Sequence, residues 1–253
     1  MSNLVTNTEP PADFPIQLRF LGVGGASQEG LGHASAVVQI ADKRLLIDCG
    51  PGTVKAFVDC YQCLPDALFI THCHLDHIGD LENLFIKSWF HQPNRVQPKV
   101  YVPASIVPLL HQRAGSYPAV LAEGGVNFWD AFHLIPVVDA FVFENTQFNV
   151  QEVRHHAPET AFGLHLPQRF FYTGDTRPIP EIIDHRINCN EVIFHDCGVV
   201  GNPSHTGIDD LEREYSAEVI SRLRCYHYYT KADVDVFNER GLYVVRQGEL
   251  FEV

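Results

Sequence analysis

Thr71-His-Cys-His-Leu-Asp-His-Ile-Gly-Asp80 limits what this chain can fold into more than any other stretch. Three histidines and an aspartate fall within six positions, directly after the apolar run Ala67-Leu-Phe-Ile70, which reads as a strand buried on both faces. A loop leaving a strand end presents residues i and i+2 to the same side. His72 and His74 can then grip one metal ion, while Asp76 and His77, where the chain turns into the next helix, face a second. Neutral imidazole and carboxylate are donors that zinc favours. A merely solvated histidine-rich loop does not account for the cluster's place at the end of a buried strand. Cys73 alternates away from its neighbours and is not counted as a ligand.

One cluster cannot complete two metal sites, so further ligands are expected at other strand ends. His155-His156 follow a strand expected over 148–153, Asp175 sits in Phe171-Tyr-Thr-Gly-Asp-Thr176, and His227 follows Leu223-Arg-Cys-Tyr226. A lone His or Asp after a strand is more often a cap or a packed hydrogen-bonding group. Together these supply what a dinuclear site needs: an aspartate can bridge two ions about 3.5–4 Å apart.

The rest of the chain reads as mixed α/β. Strands are expected over 16–21, 35–40, 43–47, 67–70, 99–102, 141–143, 148–153, 163–166, 169–172, 191–194 and 243–245. Helices are expected over 54–60, 78–90, 105–113, 209–223 and 231–238. Residues 1–15, polar and broken by Pro10, Pro11 and Pro15, read as a flexible tail, and 16–253 as a single domain. There is no signal-peptide pattern and no apolar run long enough to span a bilayer. The seven irregularly spaced cysteines point to free thiols in a reducing cytoplasm. Cys60-x-x-Cys63, with no second pair nearby, reads as two ordinary helix-face cysteines.

The set of motifs resembles the metallo-β-lactamase superfamily, and within it the branch of ribonuclease Z and small cyclic phosphodiesterases. Phe20-Leu-Gly-Val-Gly-Gly25, Leu45-Leu-Ile-Asp-Cys-Gly-Pro-Gly52, the 72–77 motif, Tyr172-Thr-Gly-Asp-Thr176 and His227 carry the resemblance. It implies a four-layer αββα sandwich, with two mixed sheets packed together and helices on the outer faces. It also implies a ligand set for two divalent ions, zinc first, with manganese or iron able to use the same donors. His72, His74 and either His155 or His156 would hold the first ion. Asp76, His77 and His227 would hold the second, and Asp175 would bridge. Asp48 would orient the site through a ligand histidine. His155 fits the His-x-x-Pro spacing to Pro158, and His156 fits His-x-Pro. The branch is often homodimeric, which the resemblance carries over to this chain.

Phe194-His-Asp-Cys197 and Ser204-His-Thr206 resemble two further segments of the branch, with Asp196 in place of the usual glutamate. The catalytic residues implied are Asp76, His205 as proton donor to a leaving alkoxide, and Asp196 as the group that positions His205. The structural alternative is a capping turn, because Gly207-Ile-Asp-Asp210 begins a helix. His33, in Gly30-Leu-Gly-His-Ala-Ser35, reads as part of a solvent-exposed loop.

These residues point to hydrolysis by water activated between two metals, with a small phosphodiester, cyclic or linear, as substrate. With 18 basic residues against 31 acidic ones the formal charge is −13. Such a surface disfavours a long nucleic acid as partner. The chain also lacks the basic, glycine-rich arm with which ribonuclease Z grips transfer RNA. Rival readings are a thioester or lactone hydrolase, which needs no His205, a tRNA 3′-processing endonuclease, and a metal-stabilised nucleotide-binding protein without turnover.

Overall fold

The computed structural model describes residues 15–91, 97–116 and 120–253. The tail expected over 1–15 lies outside these residues but for Pro15. The strands run β1 (Ile16–Gly22), β2 (Ser35–Ile40), β3 (Lys43–Ile47), β4 (Ala67–Phe69), β5 (Lys99–Pro103) and β6 (His133–Val137) in one half. In the other half they run β7 (Ala140–Phe143), β8 (Thr146–Glu152), β9 (Phe162–Leu166), β10 (Phe170–Tyr172), β11 (Val192–Asp196) and β12 (Leu223–Tyr226). A last strand, β13 (Leu250–Glu252), returns to pair with β1.

Two mixed sheets result, ordered β13-β1-β2-β3-β4-β5-β6 and β12-β11-β10-β9-β8-β7. In the first, β1 to β3 form an antiparallel meander and β3 to β6 are parallel. In the second, β7 to β10 are antiparallel and β10 to β12 parallel. Central strands such as β4 and β10 are buried along their whole length, which is why they read as continuous apolar runs rather than alternating ones.

Aromatic side chains fill the space between the sheets. Phe20 of β1 meets Phe194 of β11 and Tyr226 of β12, with ring centroids at 5.3 and 5.4 Å. Phe141 of β7 lies between Phe69 of β4 and Tyr101 of β5, at 5.7 and 4.0 Å. Burying rings of this size contributes about 1.5–3 kcal/mol each. The outer layers hold the helices α1 (Thr53–Tyr61), α2 (Leu75–Ile78), α3 (Leu81–Phe90), α4 (Val107–Leu110), α5 (Pro180–Arg186), α6 (Ile208–Glu214), α7 (Ala217–Arg222) and α8 (Asp233–Glu239). This is the four-layer α/β arrangement expected. Among the described residues no helix is long and apolar enough to cross a membrane.

Several elements differ from their sequence pattern for local reasons. The helix expected over 78–90 is two, because the chain turns at Gly79 and Asp80. Asp80 takes its N–H to the Cys49 carbonyl and its carboxylate to the Val54 N–H, stapling the start of α1. The helix expected over 209–223 also breaks in two. Tyr215 is extended there, its hydroxyl drawn inward to His195 Nε2 and to the Ile179 N–H, and Ser216 caps the restart. The helix expected over 105–113 is a short 3₁₀ turn, α4 and a π turn in succession. Residues 243–245 form no strand, only a bridge from Val244 to Cys225. β6, α5 and β13 were not evident from periodicity.

Candidate metal centre

The loops that carry the expected ligands leave neighbouring strand ends and meet at one edge of the two sheets. Asp48 follows β3, His72 to His77 follow β4, His155 follows β8, Asp175 follows β10, Asp196 ends β11 and His227 follows β12. Most of these are carboxyl ends of parallel strands, where α/β sheets open into crevices. Two of the residues have left-handed backbone, Asp48 at φ 60° and His227 at φ 75°. A non-glycine residue there costs of order 1 kcal/mol or more, and such strain gathers at functional sites.

Asp175 is the hub. Its Oδ2 lies 3.6 Å from His72 Nε2, 3.2 Å from His77 Nε2, 3.3 Å from His227 Nε2 and 3.9 Å from His155 Nε2. Asp76 Oδ2 approaches His77 Nε2 at 3.5 Å and His227 Nε2 at 3.8 Å. Among the described residues three overlapping groups result, each with ligand atoms within 4.8 Å of one another: His72, His74, His155 and Asp175; Asp76, His77, Asp175 and His227; and Asp175, Asp196, His205 and His227.

The donor set fits divalent ions on an observation of its own. His72 Nε2, His77 Nε2, His227 Nε2 and both carboxylate oxygens of Asp175 are buried without a hydrogen-bond partner. Each such orphan costs about 1–3 kcal/mol unless something satisfies it. Ligands about 2.0–2.2 Å from a tetrahedral ion stand about 3.3–3.6 Å apart, the range of several spacings here and beyond that of a hydrogen bond. For three of the histidines the other ring nitrogen is already engaged. His77 Nδ1 donates to Asp48 Oδ2 at 2.8 Å, His155 Nδ1 donates to the Ser204 carbonyl at 2.8 Å, and His72 Nδ1 stands 3.1 Å from Thr71 Oγ1. Asp48 is fixed in turn by the Thr71 N–H and hydroxyl at 2.8 and 2.7 Å. Each of these three imidazoles therefore turns Nε2 toward Asp175, the orienting arrangement known around metal-ligating histidines.

The electrostatics agree. Burial pushes His72 well below the ordinary imidazole pKa and His155 down to about 4, so both are neutral donors. For His77 and His227 burial acts in the same direction, but the charge of Asp175 outweighs it, helped by Asp48 and Asp196 respectively; His227 is raised to about 10. Left to protons alone, the carboxylates are balanced by imidazolium, so binding a cation releases protons.

Of the two histidines left open by the sequence, His155 is buried and faces Asp175, whereas His156 is exposed and reaches His74, with Nε2 to Nε2 at 3.1 Å, and the Ser204 hydroxyl at 3.3 Å. His205 Nδ1 donates to Asp196 Oδ2 at 2.9 Å and stands 3.9 Å from Asp175. Burial works against charge on His205, but the hydrogen bond and charge of Asp196 outweigh it and raise its pKa. The shorter aspartate therefore reaches the histidine. Asp196 also accepts from the Thr176 N–H at 2.8 Å.

His33 departs from the exposed loop expected. It is half-buried with Nδ1 enclosed and unpartnered, and its Cβ lies beside Gly50 at the foot of Asp76. The bridge that draws it to Gly24 helps place it there, a contact that no pattern in the sequence marks. Gly50 matters for the same reason. A Cβ on it would lie 1.7 Å from the Asp76 carbonyl oxygen. Gly50→Ala is expected to lose about 3 kcal/mol or more of stability, read as a shifted urea midpoint, because backbone rather than a flexible side chain must give way. An unshifted midpoint would refute this packing.

The sequence profile of the family described as Anti-Pycsar protein Apyc1 matches residues 16–251. The anti-Pycsar protein Apyc1 of Bacillus phage BSP38 is 26% identical over 248 residues, which cover 89% of this chain and 93% of that protein. A diphosphatase of the PhnP family superposes with a TM-score of 0.74 at 17% identity, over 94% of this chain and 98% of that one. YhfI of Bacillus subtilis, a metallo-β-lactamase fold protein, gives 0.72 at 14% identity, over 95% and 100%. At these identities the two structures speak for the fold, which is that of the metallo-β-lactamases.

Proposed function

The chain belongs to the family of the anti-Pycsar protein Apyc1, and on that premise we propose that it is a dinuclear zinc phosphodiesterase that opens the phosphodiester of a small cyclic nucleotide. The observation that carries the choice of bond is His205, hydrogen-bonded to Asp196 at 2.9 Å and set 3.9 Å from Asp175. A phosphodiester expels an alkoxide and needs a proton donor there, whereas a thioester or an activated lactam does not need one.

In this reading His72, His74 and His155 would hold one ion, Asp76, His77 and His227 the other, and Asp175 would serve both. When bound, the ions supply Lewis-acid polarisation of the phosphoryl group and a water of lowered pKa. The protein's part is placement. Asp48 fixes the His77 tautomer, and the Ser204 carbonyl fixes that of His155. Asp196 holds His205 by Nδ1, which leaves Nε2 to give its proton to the departing oxygen. Zinc suits a set of imidazoles and carboxylates, and manganese or iron meets the same donors. The seven free thiols support a cytoplasmic setting. Leu75 at the start of α2 and Val200 between β11 and α6, 60% and 79% exposed, offer apolar surface that a homodimer would cover.

The test is a parallel assay of 3′,5′-cyclic nucleotides, bis-p-nitrophenyl phosphate, a thioester and a lactone, with bound metal quantified. The expected result is cyclic-nucleotide cleavage that is lost on chelation and restored by zinc, with about two ions per chain. Turnover of the thioester or lactone alone would overturn the substrate class.

A further inference from the structure

Tyr229 stands two residues beyond His227, and no part of the ligand pattern calls for it. Its backbone N–H donates to Asp233 Oδ2 at 2.9 Å, and the Thr230 N–H and hydroxyl donate to the same carboxylate, so the segment leading into α8 is fixed. Its ring is wedged between two glycine turns. A Cβ on Gly25 would lie 3.1 Å from Tyr229 Cε1, and one on Gly198 would lie 3.6 Å from Cε2. These two carbons flank the one that bears the hydroxyl, so the O–H end lies between the turns. The same Cβ on Gly25 would lie 2.9 Å from His227 Cε1, so the phenol and that imidazole border the same face of the turn.

Both turns adjoin the centre: Gly198 lies two residues past Asp196, and the Gly25 turn borders the His227 imidazole, so the hydroxyl end stands at the rim of the centre. Among the described residues the hydroxyl takes no hydrogen bond, although the backbone on either side of it is fully tied. The nearby cations look elsewhere: Arg154, next to His155, pairs with Glu181 at 2.9 Å on the surface.

We propose that Tyr229 is a catalytic residue, whose hydroxyl donates a hydrogen bond to a non-bridging phosphoryl oxygen of the substrate. This rests on the phosphodiesterase reading above and deepens it. A phosphodiester carries its charge on those oxygens, and a fixed neutral donor can stabilise it without a lysine or arginine. The wedge between Gly25 and Gly198 keeps the donor in place before substrate arrives, so little ordering is left for the reaction to supply.

Tyr229→Phe keeps the wedge and removes the donor. The variant is expected to retain two zinc ions per chain and the wild-type Tm. Its kcat on a cyclic nucleotide is expected to fall about 10²-fold. By calorimetry on the zinc-loaded protein, its Kd for inorganic phosphate is expected to rise about tenfold, the equivalent of one hydrogen bond. Wild-type kcat and phosphate affinity in the variant would overturn the proposal, as would loss of metal or a lowered Tm, which would make Tyr229 structural. The binding arm does not need turnover. If the wild-type protein cleaves no phosphodiester, the proposed function fails by itself, and the phosphate affinities of wild type and variant still decide Tyr229.

Discussion

Asp175→Asn is expected to empty the centre and to lower kcat/KM on a phosphodiester by about 10³-fold or more. The side chain keeps its shape, so the effect isolates charge and ligand chemistry. Asp175 Oδ2 lies within 4 Å of His72, His77, His155, His205 and His227, and both of its oxygens are buried without a hydrogen bond. Burial alone would raise its pKa, but the charges of His227 and His77 hold it well below the carboxylate range. A neutral amide offers the two ions one weak oxygen and turns an N–H toward histidine nitrogens that must stay free. Polarisation by the ions is worth several kcal/mol, and every 1.36 kcal/mol is a factor of ten in rate. The fold is expected to survive, because His77 keeps Asp48 at 2.8 Å and His227 keeps Asp196 at 3.4 Å. Metal analysis, circular dichroism and kinetics on the same sample check this. A folded variant with two ions and the wild-type rate would sink the bridging role of Asp175.

How much of this was legible in the sequence varies with the range of the interaction that fixes each part. The clustering of the 72–77 motif was legible because its candidate ligands are local, and one strand end sets their directions. Asp175 and His227 were legible because each follows a recognisable apolar strand. The choice between His155 and His156 was not, because adjacent residues share one strand end. What sets the two apart in space is the Ser204 carbonyl, which reaches His155 from 49 residues away. The same holds for His33 and Tyr229. Neither carries a local signal, and both are brought to the rim by the Gly22–Gly25 turn packing against the segment after β12. The broken helices were misread for a related reason. Asp80 and Tyr215 look helix-compatible in sequence, yet their side chains bond groups far along the chain, and those bonds override propensity.

The proton donor gives the prediction that separates this chemistry from that of its rivals. His205→Asn is expected to lower kcat on a cyclic nucleotide about 10³-fold, yet to slow bis-p-nitrophenyl phosphate less than about tenfold, with metal content unchanged. The contrast follows from the leaving group. An alkoxide of high pKa departs only if protonated, whereas p-nitrophenolate departs as an anion and has no use for the donor. His205 is bound to Asp196 and belongs only to the group it forms with Asp175, Asp196 and His227, not to the groups of His72 or Asp76, so its loss leaves those two groups intact. Asp196→Asn is expected to reproduce the contrast in weaker form, because the amide still reaches His205 Nδ1 but no longer favours the protonated ring. An equal slowing of both substrates by His205→Asn would assign the residue to binding or to the metal instead. No slowing of either would return Asn202 to Gly207 to the role of a capping turn before α6, with the phosphodiester's leaving oxygen protonated by another group.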